Sequence, residues 1–238
     1  MVKLYRYGKS LNTHDLIKIV AVTLMLIDHV GEYLFADNIW CRLIGRGAAP
    51  LFFFLVGYVD KLSINLPLIL FGIILSLTTM LEIQHIWINI LLNFIFIQYM
   101  LWRLPPEKLN TLCRILFFLL AVIINFWVYP FLEFGLLGLM IAYSARLVAL
   151  QDPQSDVILI FTLIIYFIWQ CLIFNFMQQP VFIYSSVIMA AGLWWVMRKY
   201  TLRSFACPQL LLLPGLIISR YSLVIYFVHL ILLQAYVA

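Results

Sequence analysis

The chain has 238 residues, of which 66% are hydrophobic and 11% are charged, and its formal net charge is +5. Its mean hydropathy is +1.07, which leaves too little polar surface to cover a soluble globule of this size. Repeated apolar runs without the alternation of an outer-membrane barrel predict an all-α polytopic integral membrane helix bundle. We expect one transmembrane domain over residues 1–238, surrounded by the lipids of an inner-membrane type of bilayer.

Three features that elsewhere indicate other classes of protein fit a membrane bundle here. The positive charge follows from the positive-inside rule, so no nucleic acid partner is expected. The first apolar run lacks a small-x-small cleavage site and has ionisable residues inside it, which favours a permanent helix over a signal peptide. The cysteines have no CxxC spacing and are expected to be free thiols. They are Cys41, Cys113, Cys171 and Cys207.

Apolar segments follow one another along the chain, separated by short stretches rich in charge, proline and other polar residues. They cover residues 15–36, 43–60, 64–81, 86–103, 110–128, 132–149, 156–175, 181–198 and 220–237. The run 210–218 is too short to span a bilayer and suggests a re-entrant or interfacial piece. The pattern therefore predicts about nine transmembrane helices.

Lysines and arginines are distributed unevenly between the two ends of these segments. If the chain alternates across the bilayer, one side receives Lys3, Arg6, Lys9, Lys18, Lys61, Arg103, Lys108, Arg114, Arg146, Arg198, Lys199, Arg203 and Arg220. The other side receives only Arg42 and Arg46. Because cytoplasmic loops carry the excess of lysine and arginine, the N-terminus is expected to be cytoplasmic. The two arginines on the other side need a local partner, such as a carboxylate or an anionic ligand.

The first segment and the start of the second carry ionisable residues at membrane depth, which are expensive there and mark sites of chemistry or transport. Lys18 and His29 lie on nearly one helix face, with a rise of roughly 16 Å between them. This geometry suits an extended ligand with phosphates near Lys18 and its reactive end near His29. Asp28 points about 100° away from His29. Its expected partners are Arg42 and Arg46, which share one face of the next helix.

The last segment supplies a second group of polar residues. In SLVIYFVHL, the residues Ser222, Tyr226 and His229 fall on one helix face, as the spacings i, i+4 and i+7 require. This stripe would meet the first hairpin if the bundle closes on itself, which would place Tyr226 and His229 at the same site. Nothing in the spacing of His29, His229 and Asp28 demands a metal, and none is expected.

Two stretches of the first hairpin resemble a known family. DLIKIVAVTLMLIDHVG and the later RLIGRGAAPLFFFLVGY look like the opening of the TraX family of conjugative-transfer membrane proteins, and FGLLGL and YFVHL resemble its later landmarks. The resemblance implies a pilin acetyltransferase of the bacterial inner membrane that transfers acetyl from acetyl-CoA to the N-terminal amino group of a processed pilin subunit. Its expected partners are the pilin subunit and other conjugation-system proteins.

The resemblance also implies roles for individual residues. The spacing of Lys18 and His29 is similar to the Arg-x10-His signature of membrane acyltransferases that modify sugars, with lysine in place of arginine. By this resemblance His29 is catalytic, Lys18 contacts the donor, and Asp28, Arg42 and Arg46 match the DH and GR elements of the family. A neutral imidazole has a suitable reference pKa for taking a proton from the attacking amine. A transient acyl-histidine is the alternative.

Three function classes remain open at this point. The first is a membrane acetyltransferase, or an acyltransferase that acts on a glycan or a lipid, in which Arg42, Tyr226 or His229 would stabilise the thioester oxyanion. The second is a transporter, which predicts inverted repeats that the sequence does not show. The third is a non-catalytic pilus or secretion assembly protein, whose charged residues only pair with partner helices.

Overall fold

A computed structural model describes residues 10–35, 38–59, 66–174, 180–205 and 209–237. The helices are α1 (Thr13–Tyr33), α2 (Ile39–Gly45), α3 (Ala48–Tyr58), α4 (Leu66–Ile83), α5 (Ile90–Arg103), α6 (Thr111–Val128), α7 (Leu137–Ala149), α8 (Ser155–Ile173), α9 (Pro180–Arg198), α10 (Gln209–Arg220) and α11 (Ser222–Val237). A 3₁₀ turn covers Pro106–Lys108. Two short strands, β1 (Leu11–Asn12) and β2 (Ser204–Phe205), pair antiparallel. The predicted all-α class is confirmed.

Each predicted apolar segment overlaps a helix, or a pair of helices, of the described chain. Within the described residues, the stretches long and apolar enough to cross a membrane are Ile39–Tyr58, Thr111–Val128, Ser155–Ile173 and Pro180–Arg198. The helix pair Leu212–Arg220 and Ser222–Tyr236 is bent by 74° and adds a fifth candidate if it is one span. By length and composition the protein is a membrane helix bundle with 4 to 5 candidate spans, fewer than the predicted nine.

The first helix, α1, is long enough to span a membrane but is highly charged for a lipid-facing span. Its 21 residues include Asp15, Lys18, Asp28 and Glu32. Charged side chains at membrane depth face the interior of a bundle or a polar cavity, where partners offset the cost of removing them from water. The contacts of these four side chains therefore indicate whether α1 faces lipid or the interior of the bundle.

The second predicted segment, 43–60, is wrong as a single helix, because the chain leaves α2 at Gly45 and resumes a helix at Ala48. Pro50 lies in the first turn of α3, where a backbone N–H has no intrahelical acceptor, so its missing N–H costs little there. Arg46 closes α2, and its N–H donates to the carbonyl of Arg42 at 3.1 Å. The break places Arg46 at the end of a helix rather than inside one.

The sixth predicted segment, 132–149, is also wrong at its start, because α7 begins only at Leu137. Gly135 has a φ of 51°, a left-handed conformation that suits glycine and interrupts a helix. A Cβ at this position would overlap Oδ1 of Asn125. The side-chain amide of Asn93 donates to the carbonyl of Gly135 at 3.1 Å. Two fully buried amides thus hold an irregular loop where a helix was expected.

Backbone contacts group the chain into two compact units. The first unit comprises residues 1–52 and 199–238; inside it α1 packs against α2, α10 and α11. The second unit comprises residues 53–198; inside it α7 packs against α5, α6, α8 and α9, and nearly every side chain of α7 is buried. One domain over 1–238 stays a prediction.

Three of the four cysteines lie in described helices. Cys41, Cys113 and Cys171 are free thiols, as predicted. The remaining cysteine and part of the basic residues that carry the orientation argument fall outside the described residues; these are Cys207, Lys3, Arg6, Lys9 and Lys61.

Candidate functional site

The hairpin of α1 and α2 is packed closely because each helix presents a glycine to the other. A Cβ at Gly31 would overlap the side chain of Cys41, and a Cβ at Gly45 would overlap both the backbone and the side chain of Asp28. Small residues at helix crossings allow two backbones to approach in this way. The close approach presses Asp28 against α2.

The carboxylate of Asp28 contacts both arginines of the next segment. Its Oδ2 accepts from Nη2 of Arg46 at 2.5 Å, and its Oδ1 lies 3.1 Å from Nη1 of Arg42. The three side chains are only 8% to 13% exposed. A buried carboxylate is stable only when it is paired and hydrogen-bonded. The structure therefore brings together Asp28, Arg42 and Arg46 as their spacing predicted, and it turns Asp28 toward α2.

Glu32 completes this charge cluster and was missed by the sequence analysis. Arg42 binds its carboxylate with two nitrogens, at 2.8 and 3.3 Å, the planar arrangement that favours arginine over lysine. Arg42 also donates to the backbone carbonyl of Asp28 at 3.2 Å. The spacing of Asp28 and Glu32, one helical turn apart, was the available signal. Two carboxylates and two guanidinium groups make the cluster formally neutral without an anionic ligand.

His29 faces a different neighbour from Asp28. Its Nδ1 lies 2.6 Å from Nε2 of His229, on α11 and 200 residues further along the chain. The two ring planes are inclined by 19° and their centroids lie 4.8 Å apart. His29 is 9% exposed, so the ring is enclosed by the protein. The sequence placed both histidines at one site, and the structure joins them directly.

The hydrogen bond made by the second nitrogen of His229 determines which ring nitrogens of this pair carry hydrogen. Nδ1 of His229 lies 2.7 Å from the backbone carbonyl of Ile225, and a carbonyl can only accept, so this nitrogen carries the proton. With both rings neutral, Nε2 of His229 is then an acceptor, and the shared hydrogen bond must come from Nδ1–H of His29. The lone pair of the His29 ring is left on Nε2. The carbonyl of Ile225 thus sets the tautomer of a histidine on another helix.

Tyr226 lies beside the two histidines. Its ring centroid is 5.8 Å from that of His29 and 5.7 Å from that of His229, both at steep angles. Tyr226 itself is buried. The predicted stripe on the last helix therefore brings Tyr226 and His229 to His29, which gives the site an aromatic wall with a hydroxyl on it.

Near the N-terminal end of α1, Lys18 lies close to Asp15, a carboxylate that already accepts hydrogen bonds from other groups. Asn12 and Asp15 form a capping box, with the side chain of each accepting the backbone N–H of the other. The second oxygen of Asp15 accepts from the hydroxyl of Ser219 at 2.5 Å, a contact that no sequence pattern predicts. Lys18 is partly buried, and among the described residues its ammonium makes no hydrogen bond or ion pair.

His14 precedes the predicted first span and lies in the same corner of the unit. Its Nδ1 is 3.5 Å from the hydroxyl of Tyr200. Burial lowers the pKa of His14 to about 4, helped by the charge of Lys18 and opposed in part by Asp15. The ring is therefore neutral at physiological pH and adds no positive charge beside Lys18.

Together these features define a helical membrane protein with a buried imidazole pair next to a neutral cluster of arginines and carboxylates on one hairpin. The chain belongs to the TraX family: the model of that family, described as TraX protein, matches residues 13–235. The resemblance inferred from the sequence motifs is thereby confirmed.

Two relatives are similar to the chain along different lengths. The uncharacterized protein RP591 of Rickettsia prowazekii (strain Madrid E) is 27% identical over 238 residues, covering 94% of this chain and 91% of the relative. Protein TraX of Escherichia coli (strain K12) is 41% identical over 58 residues, covering 21% of this chain and 23% of the relative. No solved structure matches the chain.

Proposed function

We propose that the protein is a membrane-embedded N-acetyltransferase of conjugative pilus biogenesis. It transfers acetyl from cytoplasmic acetyl-CoA to the N-terminal amino group of a processed pilin subunit. Membership of the TraX family supports the conjugation context, and the resemblance described above implies the reaction. The observation that carries the chemical assignment is the tautomer of His29, whose Nδ1 is committed to His229.

His29 acts as the general base. As the amine nitrogen attacks the thioester carbonyl, Nε2 of His29 takes its proton, and the carbon–nitrogen bond forms. Collapse of the tetrahedral intermediate then breaks the carbon–sulfur bond, and the leaving thiolate takes the proton back from Nε2. Before the attack, the hydrogen bond to His229 keeps the lone pair on Nε2, so the ring needs no rearrangement before it accepts a proton.

His229 therefore has a positioning role rather than the donor role given to it by the sequence analysis. Its Nε2 accepts from His29 and has no hydrogen to offer an oxyanion. Arg42 is engaged by both oxygens of Glu32, so Tyr226 is the remaining candidate for stabilising negative charge on the thioester oxygen. Asp28 supports catalysis by holding the hairpin in register through Arg46, and it does not accept the reacting proton.

Lys18 is assigned to the phosphates of acetyl-CoA. Its ammonium makes no hydrogen bond or ion pair among the described residues, and three helical turns along α1 separate it from His29. An ammonium whose donors are not taken up by a carboxylate is a natural contact for phosphate. No metal takes part in this scheme.

We further propose that the protein lies in the bacterial inner membrane with about nine spans and its N-terminus in the cytoplasm. The bias of lysines and arginines supports this orientation. The two arginines that break the bias have carboxylate partners in Asp28 and Glu32. Their location on the other side of the membrane therefore needs no anionic ligand.

The direct test uses the purified full chain in nanodiscs with radiolabelled acetyl-CoA and a peptide that carries the N-terminus of the processed pilin. His29→Ala should lower label transfer by about 100-fold or more, as expected for loss of a positioned base. The matched control is His85→Ala, on a histidine exposed to solvent in the second unit. Transfer that persists in His29→Ala at normal membrane levels would refute the role.

The choice of acceptor has a separate test. The intact mass of pilin co-expressed with the protein should increase by one acetyl group, and it should not increase with His29→Ala. An unchanged mass together with His29-dependent release of CoA would assign a glycan or lipid acceptor. If the protein binds pilin tightly and acetyl-CoA is never consumed, the protein is an assembly factor.

A further inference from the structure

A long apolar groove runs between α6 and α8, inside the second unit and apart from the histidine pair. Its volume is about 580 Å³, within the range of sites that hold small molecules. Its walls are almost entirely apolar along most of their length. The lining side chains of that part are Ile115, Phe118, Leu119, Val157, Ile158, Phe161 and Ile165. A groove of this kind fits a single flexible hydrocarbon chain.

The groove opens among side chains that face lipid. In the candidate span Thr111–Val128 only 17% of the residues are buried, and Leu119 and Phe161 on the two walls are 56% and 62% exposed. Apolar side chains exposed on a membrane span contact hydrocarbon tails. An occupant that reaches this groove from its open side therefore comes from the bilayer.

One end of the groove is polar and built around Arg114. Its Nη1 donates to Oδ2 of Asp152 at 2.8 Å and to Oε1 of Gln154 at 3.3 Å. The amide of Gln154 donates in turn to the hydroxyl of Thr111 at 2.9 Å. Arg114 is 8% exposed, and its Nε is buried with no hydrogen-bond partner among the described residues. A buried guanidinium N–H without an acceptor is costly, so the structure offers a donor at the end of an apolar groove.

Two helix N-termini lie at this same end. α6 begins at Thr111 and α8 at Ser155, and both helices line the groove from their first turns onward. The N-cap residue of α8, Gln154, makes no side-chain capping hydrogen bond. The positive ends of two helix dipoles and the unused Nε–H of Arg114 all favour a phosphate at this position.

We propose that the groove binds a zwitterionic phospholipid of the phosphatidylethanolamine class. One acyl chain lies between α6 and α8, the phosphate accepts from Arg114, and the ammonium lies against Asp152. Asp152 is 18% exposed at its side chain, and a carboxylate that already accepts from Arg114 has lone pairs for a further donor. The site holds one arginine and one aspartate in contact, so its charge complements a headgroup that carries one phosphate and one ammonium.

This charge balance distinguishes between the common headgroups. An anionic phospholipid such as phosphatidylglycerol would place its phosphate beside Arg114 but, because it has no ammonium, would leave Asp152 without a cation from the headgroup. The proposed orientation also agrees with the sequence analysis, which places Arg114 on the cytoplasmic side. The bound lipid would then belong to the inner leaflet, with its tail directed toward the bilayer centre.

Native mass spectrometry of the purified full chain tests the proposal. The protein is titrated separately with phosphatidylethanolamine and with phosphatidylglycerol of identical acyl chains. We expect one retained phosphatidylethanolamine and an affinity for phosphatidylglycerol lower by about tenfold. Ile158→Trp fills the groove and should reduce retention to a similar extent. Leu172→Trp, at an exposed position of the same helix away from the groove, should retain the lipid like the wild type.

A second variant separates the headgroup site from the groove. Arg114→Lys keeps a cation beside Asp152 but removes the Nε–H that binds phosphate, so it should fold and retain both lipids less tightly than the wild type. Equal retention of the two lipids by the wild type, or unchanged retention in Ile158→Trp, would overturn the proposal. Recovery of a stoichiometric protein partner in the groove in place of lipid would overturn it as well.

Discussion

The two units of the protein bury polar groups of different kinds. In the first unit the buried polar side chains include Asp28, His29 and Arg46, which are charged or titratable. In the second unit the buried polar side chains include neutral amides that are fully buried, such as Asn93 and Asn125, both 0% exposed, together with Arg114, which is 8% exposed. The first unit is also the more charged of the two along its sequence.

The kind of buried polar group distinguishes side chains that support the fold from side chains that can take part in chemistry. Asn93 and Asn125 bind backbone groups of the loop before α7, including the N–H of Leu136 at 2.8 Å, and each hydrogen bond ends at main chain. The buried groups of the first unit instead bind one another and leave Nε2 of His29 with a lone pair. Neutral amides suffice to hold a loop, whereas buried charge is retained only where something else requires it.

The largest expected effect comes from breaking the charge cluster. Arg46→Leu leaves the carboxylate of Asp28 buried with only one arginine, and it should cost about 3–5 kcal/mol of stability. The double variant Asp28→Leu with Arg46→Leu should recover part of this loss, because it removes both charges. Reversible unfolding in mixed detergent micelles measures both variants. Asn125→Leu in the second unit is the neutral comparison and should cost about 1–3 kcal/mol. Equal losses of stability in Arg46→Leu and Asn125→Leu would contradict the distinction between charged and neutral buried groups.

The second prediction concerns the histidine pair. His229→Leu should lower acetyl transfer by about 100-fold, because His29 loses the acceptor that fixes its tautomer. His229→Gln retains an oxygen acceptor near the position of Nε2 and should keep more activity than His229→Leu. The pH profile of the reaction should also move in His229→Leu and stay close to that of the wild type in His229→Gln. If the two variants lose activity equally with unchanged profiles, His229 has only a packing role.

The third prediction compares two glycines, one in each unit. A Cβ at Gly45 would overlap Asp28, whereas a Cβ at Gly192 would meet nothing within 4 Å. Gly45→Ala should therefore destabilise the protein by about 1–3 kcal/mol through overpacking. Gly192→Ala should be neutral or should stabilise α9 by up to about 1 kcal/mol, from helix propensity alone. Thermal melts of the two variants in one detergent provide the comparison, and a tolerant Gly45→Ala would mean that α1 and α2 separate easily.

Local signals predicted much of this structure. Runs of apolar residues located most of the described helices, and the spacing of Arg42 and Arg46 predicted their pairing with Asp28. The same reasoning overlooked Glu32, although its spacing from Asp28 was visible. It also extended two helices through residues 46–47 and 132–136, because hydropathy does not register a turn held by glycine, proline and distant amides.

Long-range contacts were the harder part of the site. The sequence placed His29 and His229 at one site by assuming that the bundle closes, but it gave no basis for a direct hydrogen bond across 200 residues. The roles of the two rings follow from the carbonyl of Ile225, a backbone group that no side-chain pattern reveals. The tautomer of a hydrogen-bonded histidine depends on the final acceptor in the series of hydrogen bonds. Only the three-dimensional structure identifies that acceptor.

The smallest expected effect concerns His14, which lies in the same unit as the histidine pair but is not part of that pair. Its pKa of about 4 in the folded protein lies below the value of about 6.5 expected when the chain is unfolded. Because the unfolded state then binds the proton more tightly, stability is fully present above pH 6.5 and falls as the pH drops toward 4. Lowering the pH from 7 to 5.5 should cost about 1 kcal/mol through this residue. His14→Asn should flatten that part of the curve, measured by thermal melts across the range. An unchanged slope would show that His14 is as accessible to protons in the folded protein as in the unfolded chain.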